Sequence, residues 1–357
     1  MRIGVLVCIL ILAVTLSLFP PASAAVKGQL VLGLGSSWEN QYIFSPFVAY
    51  NGSAFLMWYN GENKNGVISV GLATSLDGIS WIRYPQNPVL RVGSVGEWDH
   101  GSVLGASILY EGAIYKMWYS GKAQSGTSST ISIGYATSSD GIHWTKYAGN
   151  PVFAAGPDYD RNGVLYPAVI SLGSSYVMYY LGDNGTTALA NSTDGTHWTR
   201  IAQITWPSQD WDKSRHTFHG VLKTSQGYLM AYHGQGTTAL QIGFASSTNG
   251  IEWTPYPGNP VITYNFPSSG FDNAFVYMPM VIAVGDSYYV YYTGSSTSQI
   301  LDGIGLAILP ASQYPVPEFS SVGLAGIIAV AVSVVCINLG RRFSRVHHPE
   351  KKLQRFI

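Results

Sequence analysis

The chain has 357 residues and balances 19 Lys and Arg against 19 Asp and Glu, but the charge is unevenly placed. Between Val26 and Pro315 there are 12 basic and 17 acidic residues, while six basic residues follow Gly340. An acidic main body argues against a nucleic-acid partner, which requires a basic surface, and with cysteine only at Cys8 and Cys336 that body holds no disulfide.

The N-terminus reads as a targeting signal. Met1-Arg2 precedes an apolar run to Phe19, then Pro20, Pro21 and Ala22-Ser23-Ala24. A short basic start, an apolar core and a small-residue cleavage site predict a secretory signal peptide over residues 1–24.

Residues 25–310 carry one phrase five times. It opens on an aromatic and an acid: Trp38-Glu39, Trp98-Asp99, Tyr159-Asp160, Trp211-Asp212 and Phe271-Asp272. Seven residues after each acid stands Pro46, Ala106, Pro167, His219 or Pro279, and a strand-like run then ends at Gly61, Gly121, Gly182, Gly234 or Gly294. The acids are 60, 61, 52 and 60 residues apart, and Tyr59, Tyr119, Tyr180, Tyr232 and Tyr292 repeat the same spacings. A third strand follows, and four copies continue through Asp-Gly or Asn-Gly to Trp81, Trp144, Trp198 or Trp253. Such dipeptides favour tight turns. A strand period of this length with no helical pattern predicts an all-β, five-bladed β-propeller with four strands per blade. The fifth copy lacks a fourth strand, and Gly28–Leu34 is a strand without a partner. It is expected to complete the fifth blade and close the ring.

The C-terminus reads as an anchor. Residues 311–319 form a Pro-rich spacer, residues 320–340 a transmembrane helix, and residues 341–357 a basic cytoplasmic tail. Val322–Leu339 contains no charge, enough to span a bilayer. Arg341, Arg342, Arg345, Lys351, Lys352 and Arg355 follow and place the tail inside. The expected protein is single-pass in the cell membrane, with the propeller extracellular.

The repeats separate scaffold from site. A residue present in every copy does one job five times, so the five phrase-opening acids are read as structural. The aromatics before them are expected to act as wedges between blades. Function should lie where the copies disagree, near the axis.

The WD…P, ATSxDGxxW and NPV signatures over about residues 28–310 resemble the five-bladed glycosidase propellers of glycoside hydrolase families 32, 43 and 130. The sharpest piece, HGVLKTSQGYLMAYHG at 219–234, is similar to a stretch of the family 130 mannoside phosphorylases. PVPEF at 315–319, the apolar span and the Arg pair resemble an archaeal PEF-type sorting signal. The glycosidase resemblance implies a carbohydrate-directed axial site, with catalytic carboxylates just before the inner-strand proline. Those positions here hold Ser45, Gly105, Tyr166, Phe218 and Met278, none of them acidic.

The expected ligand-binding set is therefore Ser45, His100, Arg161, Tyr166, Arg215, His216, His219 and Tyr277, with no metal and no cofactor. The expected partner is an oligosaccharide or cell-surface glycan, bound with weak or no hydrolysis. Two alternatives stay open. One is an active hydrolase using displaced acids drawn from Glu97, Asp158 and Asp210, which precede the repeated aromatics in only three copies. The other is a structural or adhesive surface module.

Overall fold

The computed structural model describes residues 27–314 and 316, apart from 36–37, 124–129, 157–158, 238, 266–269, 298–301 and 315. The signal peptide, most of the Pro-rich spacer, the transmembrane segment and the basic tail lie outside the described residues. Among the described residues no helix is long and apolar enough to cross a membrane.

The chain is all-β. It enters as β1 (Gln29–Gly33) and then builds antiparallel meanders in series. The first unit is β2 (Tyr42–Tyr50), β3 (Phe55–Glu62), β4 (Ile68–Ser75) and β5 (Ile82–Arg83). The second is β6 (Ser102–Glu111), β7 (Ile114–Lys122), β8 (Ser132–Ser138) and β9 (Thr145–Lys146). The third is β10 (Val164–Ser171), β11 (Tyr176–Gly182), β12 (Thr187–Ser192) and β13 (Thr199–Ile204). The fourth is β14 (Arg215–Lys223), β15 (Tyr228–Gln235), β16 (Leu240–Ser247) and β17 (Thr254–Pro255). The fifth is β18 (Phe275–Val284), β19 (Ser287–Ser295) and β20 (Gly303–Pro310), followed by a single 3-10 turn at Ala311–Gln313. A parallel pairing of Ile68 with Ser102 joins the first two units into one sheet.

The second strand of each unit is a continuous apolar and aromatic run. β11, YVMYYLG, is buried at every position. Continuous rather than alternating apolarity fits a sheet covered on both faces. The first strands form a closed cycle: β2 packs on β6, β6 on β10, β10 on β14, β14 on β18, and β18 on β2. As the orphan strand requires, β1 pairs antiparallel with β20, giving the order β1-β20-β19-β18.

Two repeated devices hold this cycle together. Inside a unit, the phrase-opening acid is buried and receives the hydroxyl of the second-strand tyrosine. Tyr119 Oη lies 3.0 Å from Asp99, Tyr180 Oη 2.9 Å from Asp160, Tyr232 Oη 3.1 Å from Asp212 and Tyr292 Oη 2.9 Å from Asp272. Fourth-strand cations complete three copies: Arg83 on Glu39 at 2.7 Å, Lys146 on Asp99 at 2.7 Å and Arg200 on Asp160 at 2.8 Å. These acids are structural, as their repetition implies.

Between units, an aromatic donates to the carbonyl of the next unit's tight turn. Trp58 Nε1 donates to Gly141 O at 3.0 Å, Trp118 Nε1 to Gly195 O at 2.7 Å and Tyr179 Oη to Gly250 O at 2.8 Å. Tyr291 Oη donates to Gly78 O at 2.9 Å, so the fifth unit latches onto the first. The fourth unit has Ala231 at the corresponding position, and its neighbour, the fifth unit, carries no such turn. That seam is filled instead by Tyr314, buried against Phe244 and Tyr256.

The expected wedges sit differently. A Cβ on Gly61 or Gly71 would strike the Trp38 ring, and one on Gly121 or Gly134 the Trp98 ring. Each indole therefore lies flat on the glycines of its own sheet, which is why the second strand ends in Gly.

Candidate functional site

Every first strand slips register by one residue at the same point. The breaks fall between Phe44 and Phe47, Leu104 and Ser107, Leu165 and Ala168, Phe218 and Gly220, and Tyr277 and Met280. An added residue bends a strand and re-aims its side chains. Four bulges carry a left-handed residue: Ser45 at φ 51°, Gly105 at 57°, Tyr166 at 51° and Met278 at 50°. Three of these are not glycine, so neighbours must hold the strained backbone. Thr293 Oγ1 accepts from Ser45 N–H at 3.0 Å, Asn60 Oδ1 from Gly105 N–H at 2.8 Å and Ser120 Oγ from Tyr166 N–H at 2.9 Å. Each acceptor belongs to the preceding unit in the cycle and directly precedes the glycine that ends its second strand. In the third and fourth units that position holds Leu181 and His233.

The five bulges surround one cavity of about 330 Å³, which continues along the first strands past Leu109, Ser171, Lys223 and Ile282. Its walls are mainly Phe, Leu, Val, Ile, Met and Pro side chains. Ser45, Tyr166 and His219 line it.

At the fourth bulge the repeat pattern gives way to a chain of rings. Tyr166 meets His219 edge-on at 5.2 Å, His219 stacks on His233 at 4.8 Å, and His233 meets Tyr277 edge-on at 6.3 Å. Thr217 on β14 pairs with His233 on β15, which brings the second imidazole to the first. Burial pushes the His219 pKa well down, with the neighbouring His233 and Arg215 adding to it. Burial and Arg215 push His233 down to about 3. Both imidazoles are thus neutral at neutral pH. His219 Nε2 and His233 Nδ1 are buried with no hydrogen-bond partner in the protein. A buried polar atom left unpaired costs about 1–3 kcal/mol, so both nitrogens hold hydrogen-bonding capacity in reserve. Burial, with the Asp302 charge next, pushes the Tyr277 phenol up to about 12.

The remaining expected residues lie elsewhere. Arg215 and His216 line a second, open cleft of about 620 Å³ with Lys213, Ser208, Ser214 and Asp183. The His216 ring lies 4.5 Å from the Trp206 ring, and burial lowers its pKa. Arg161 is exposed in a turn. His100 Nδ1 is 2.7 Å from the backbone oxygen of Glu97. Of the displaced acids, Glu97 is exposed and caps Ser94 N–H at 2.6 Å, and Asp210 is exposed. Asp158 lies outside the described residues.

Two residues of the site escape a reading centred on the first strands. His233 is on a second strand, and Asp302 lies ahead of β20. Asp302 is buried, accepts Ser296 N–H at 2.8 Å and raises Tyr277 through its charge. Comparing the copies just before the second-strand glycine would have exposed His233, since Asn60, Ser120, Leu181, His233 and Thr293 all differ. Among the described residues no group of three or more His, Cys, Asp or Glu side chains could hold a metal ion. The arrangement offers neutral imidazoles between phenol rings, and of these rings Tyr166 and His219 reach the apolar-walled cavity. It does not offer two opposed carboxylates of the kind glycoside cleavage uses.

The fold, rather than the site, is that of the glycosidase-like propellers. The model of the glycosyl hydrolases family 32 N-terminal domain matches residues 45–210. An uncharacterized protein of Mycobacterium tuberculosis (strain CDC 1551 / Oshkosh) is 26% identical over 288 residues, covering 76% of this chain and 94% of that protein. The beta-1,2-mannobiose phosphorylase of Thermoanaerobacter sp. (strain X514) is 27% identical over 113 residues, 29% of this chain and 37% of the enzyme. Among solved structures, one from the family 130 mannoside phosphorylases and hydrolases that target beta-1,2 mannosidic linkages in Candida mannan superposes with a TM-score of 0.60. It is 19% identical and covers 84% of this chain and 94% of its own. The chain thus has the glycosidase-like propeller fold.

Proposed function

We propose that this protein is a membrane-anchored, extracellular, five-bladed propeller that binds glycan at its axis without cleaving it. The observation that carries this reading is the pair of buried, unpartnered imidazole nitrogens on His219 and His233, flanked by the rings of Tyr166 and Tyr277. Neutral imidazoles donate to and accept from hydroxyls, and a tyrosine ring offers an apolar face and a polar tip to a sugar. Carbohydrate is also what the similar enzymes act on. Hydrolysis is set aside because no bulge carries an acid and the exposed Glu97 and Asp210 are far in character from a buried acid–base pair. The anchor rests on Val322–Leu339 and the basic residues that follow it.

A glycan array and a panel of aryl-glycosides test the reading together. Binding without turnover, abolished by Tyr166→Ala or His233→Ala, is expected. Turnover lost in Glu97→Gln, Asp158→Asn or Asp210→Asn would establish a hydrolase instead. An array blank for every sugar would favour an adhesive module.

A further inference from the structure

The units have two ends. One carries the hairpins between first and second strands and the tight turns between third and fourth strands. The 3-10 turn at Ala311–Gln313 lies at that same end, since Ala311 N–H donates to Asp286 O in the last hairpin. The candidate imidazole–phenol cluster sits nearer the opposite end, where the first strands begin.

The hairpin end is not uniform. The first unit's turn reads SLDGISWI, against SSDGIHWT, STDGTHWT and STNGIEWT in the next three. Leu76 replaces Ser139, Thr193 and Thr248, while Ile82 replaces Thr145, Thr199 and Thr254. Leu76 is 84% exposed and Ile82 74% exposed. Tyr50, Ile79, Tyr110 and Ile114 add exposed apolar surface on the hairpins and turn of the first two units. Among the described residues they stay exposed, and the third and fourth units carry Thr where the first carries Leu76 and Ile82.

We infer that this apolar edge is a membrane-contact surface that seats the hairpin end on the bilayer. The argument rests on the anchored reading above and on where the chain leaves. Val316 is the last described residue and is buried at the hairpin end. Five residues separate it from Val322, where the uncharged run begins. Fully extended, the six steps from Val316 to Val322 reach at most about 20 Å. The hairpin end is therefore tethered to the bilayer at short range. Side chains such as Leu, Ile and Tyr partition into the interface between headgroups and acyl chains, with Tyr favoured there for its polar tip. The edge thus meets lipid rather than a soluble partner, and the opposite end is left open to the medium.

The test uses the full-length chain with Cys8→Ser and Cys336→Ser, reconstituted into phosphatidylcholine vesicles carrying a headgroup-level nitroxide quencher. A polarity-sensitive fluorophore is placed at Leu76→Cys, at Ile114→Cys, or at Thr193→Cys, the matching polar turn of the third unit. The label at 76 is expected to shift to the blue and to be quenched several-fold more than the label at 193. The label at 114 should share that quenching and lose it when Leu76→Ser and Ile82→Thr restore the repeats' own residues. Co-flotation with vesicles but equal quenching at 76 and 193 overturns the contact surface and leaves the anchor standing. A blue shift without lipid quenching overturns it in favour of a second copy of the chain. Failure to co-float overturns the anchor, and the contact with it.

Discussion

The periphery and the axis are built on opposite rules. At the periphery the units repeat the same bonds: acid to tyrosine within the unit and, in every unit but the fourth, aromatic to turn carbonyl across it. At the axis the copies share one backbone break but fill it differently, with Ser45, Gly105, Tyr166, His219 and Met278 lining the cavity. The axis keeps two imidazole nitrogens unpaired, on His219 and His233, at a cost in stability. Repetition thus marks what holds the molecule, and divergence marks what it presents.

The comparison breaks most visibly if a peripheral acid is removed. Asp99→Ala strips Tyr119 and Lys146 of their shared carboxylate. Breaking a buried pair from one side costs about 3 kcal/mol or more, so the chemical-denaturation midpoint should fall sharply while glycan affinity at low temperature is retained. Loss of binding without loss of stability would invert the two regions' roles.

Acid separates the regions next. The His233 pKa is about 3 in the folded chain against 6.5 for a free imidazole. Between those values the unfolded chain binds the extra proton, so stability is full above about pH 6.5 and falls as pH drops towards the folded value. The loss between ~pH 7 and ~pH 5 should be about 2 kcal/mol from this residue. His233→Gln should flatten that slope in a pH series of melting temperatures. An unchanged slope would show that His233 is solvated.

A smaller effect is expected at the latch. Tyr291→Phe keeps the ring and deletes the hydroxyl that reaches Gly78 O, at about 1 kcal/mol. Calorimetry should show a modest drop in Tm. No drop would mean that packing alone joins the fifth unit to the first.

Stability should move least with Arg215→Ala. Arg215 is exposed, and exposed substitutions usually stay within about 0.5 kcal/mol. Affinity for an array-positive glycan should nevertheless weaken by tenfold or more. Equal affinity would confine recognition to the imidazole cluster and exclude the open cleft beside it.

The periphery was legible in the sequence because its chemistry is periodic. Glu39, Asp99, Asp160, Asp212 and Asp272 announce their role by spacing, and the unpaired strand at Gly28–Leu34 announces its partner by the gap it fills. The axis was legible only as a place. Ser45, Tyr166 and His219 converge there because the bulges coincide. Tyr166 and Met278 carry left-handed backbone that their residue types do not advertise. His233 depends on its register opposite Thr217, a relation between two strands that neither strand encodes alone. Arg215 and His216 follow the fourth phrase closely, yet they begin β14 and so line the cleft beyond the rings.

One seam of the ring differs from the rest. Where the fourth unit meets the fifth, Ala231 replaces the latching aromatic and Tyr314 fills the gap as a plug. Tyr314 lies on the very segment through which the chain departs. A pull on the tail therefore loads this joint first. The molecule is a clasp whose release tab is its C-terminal lead.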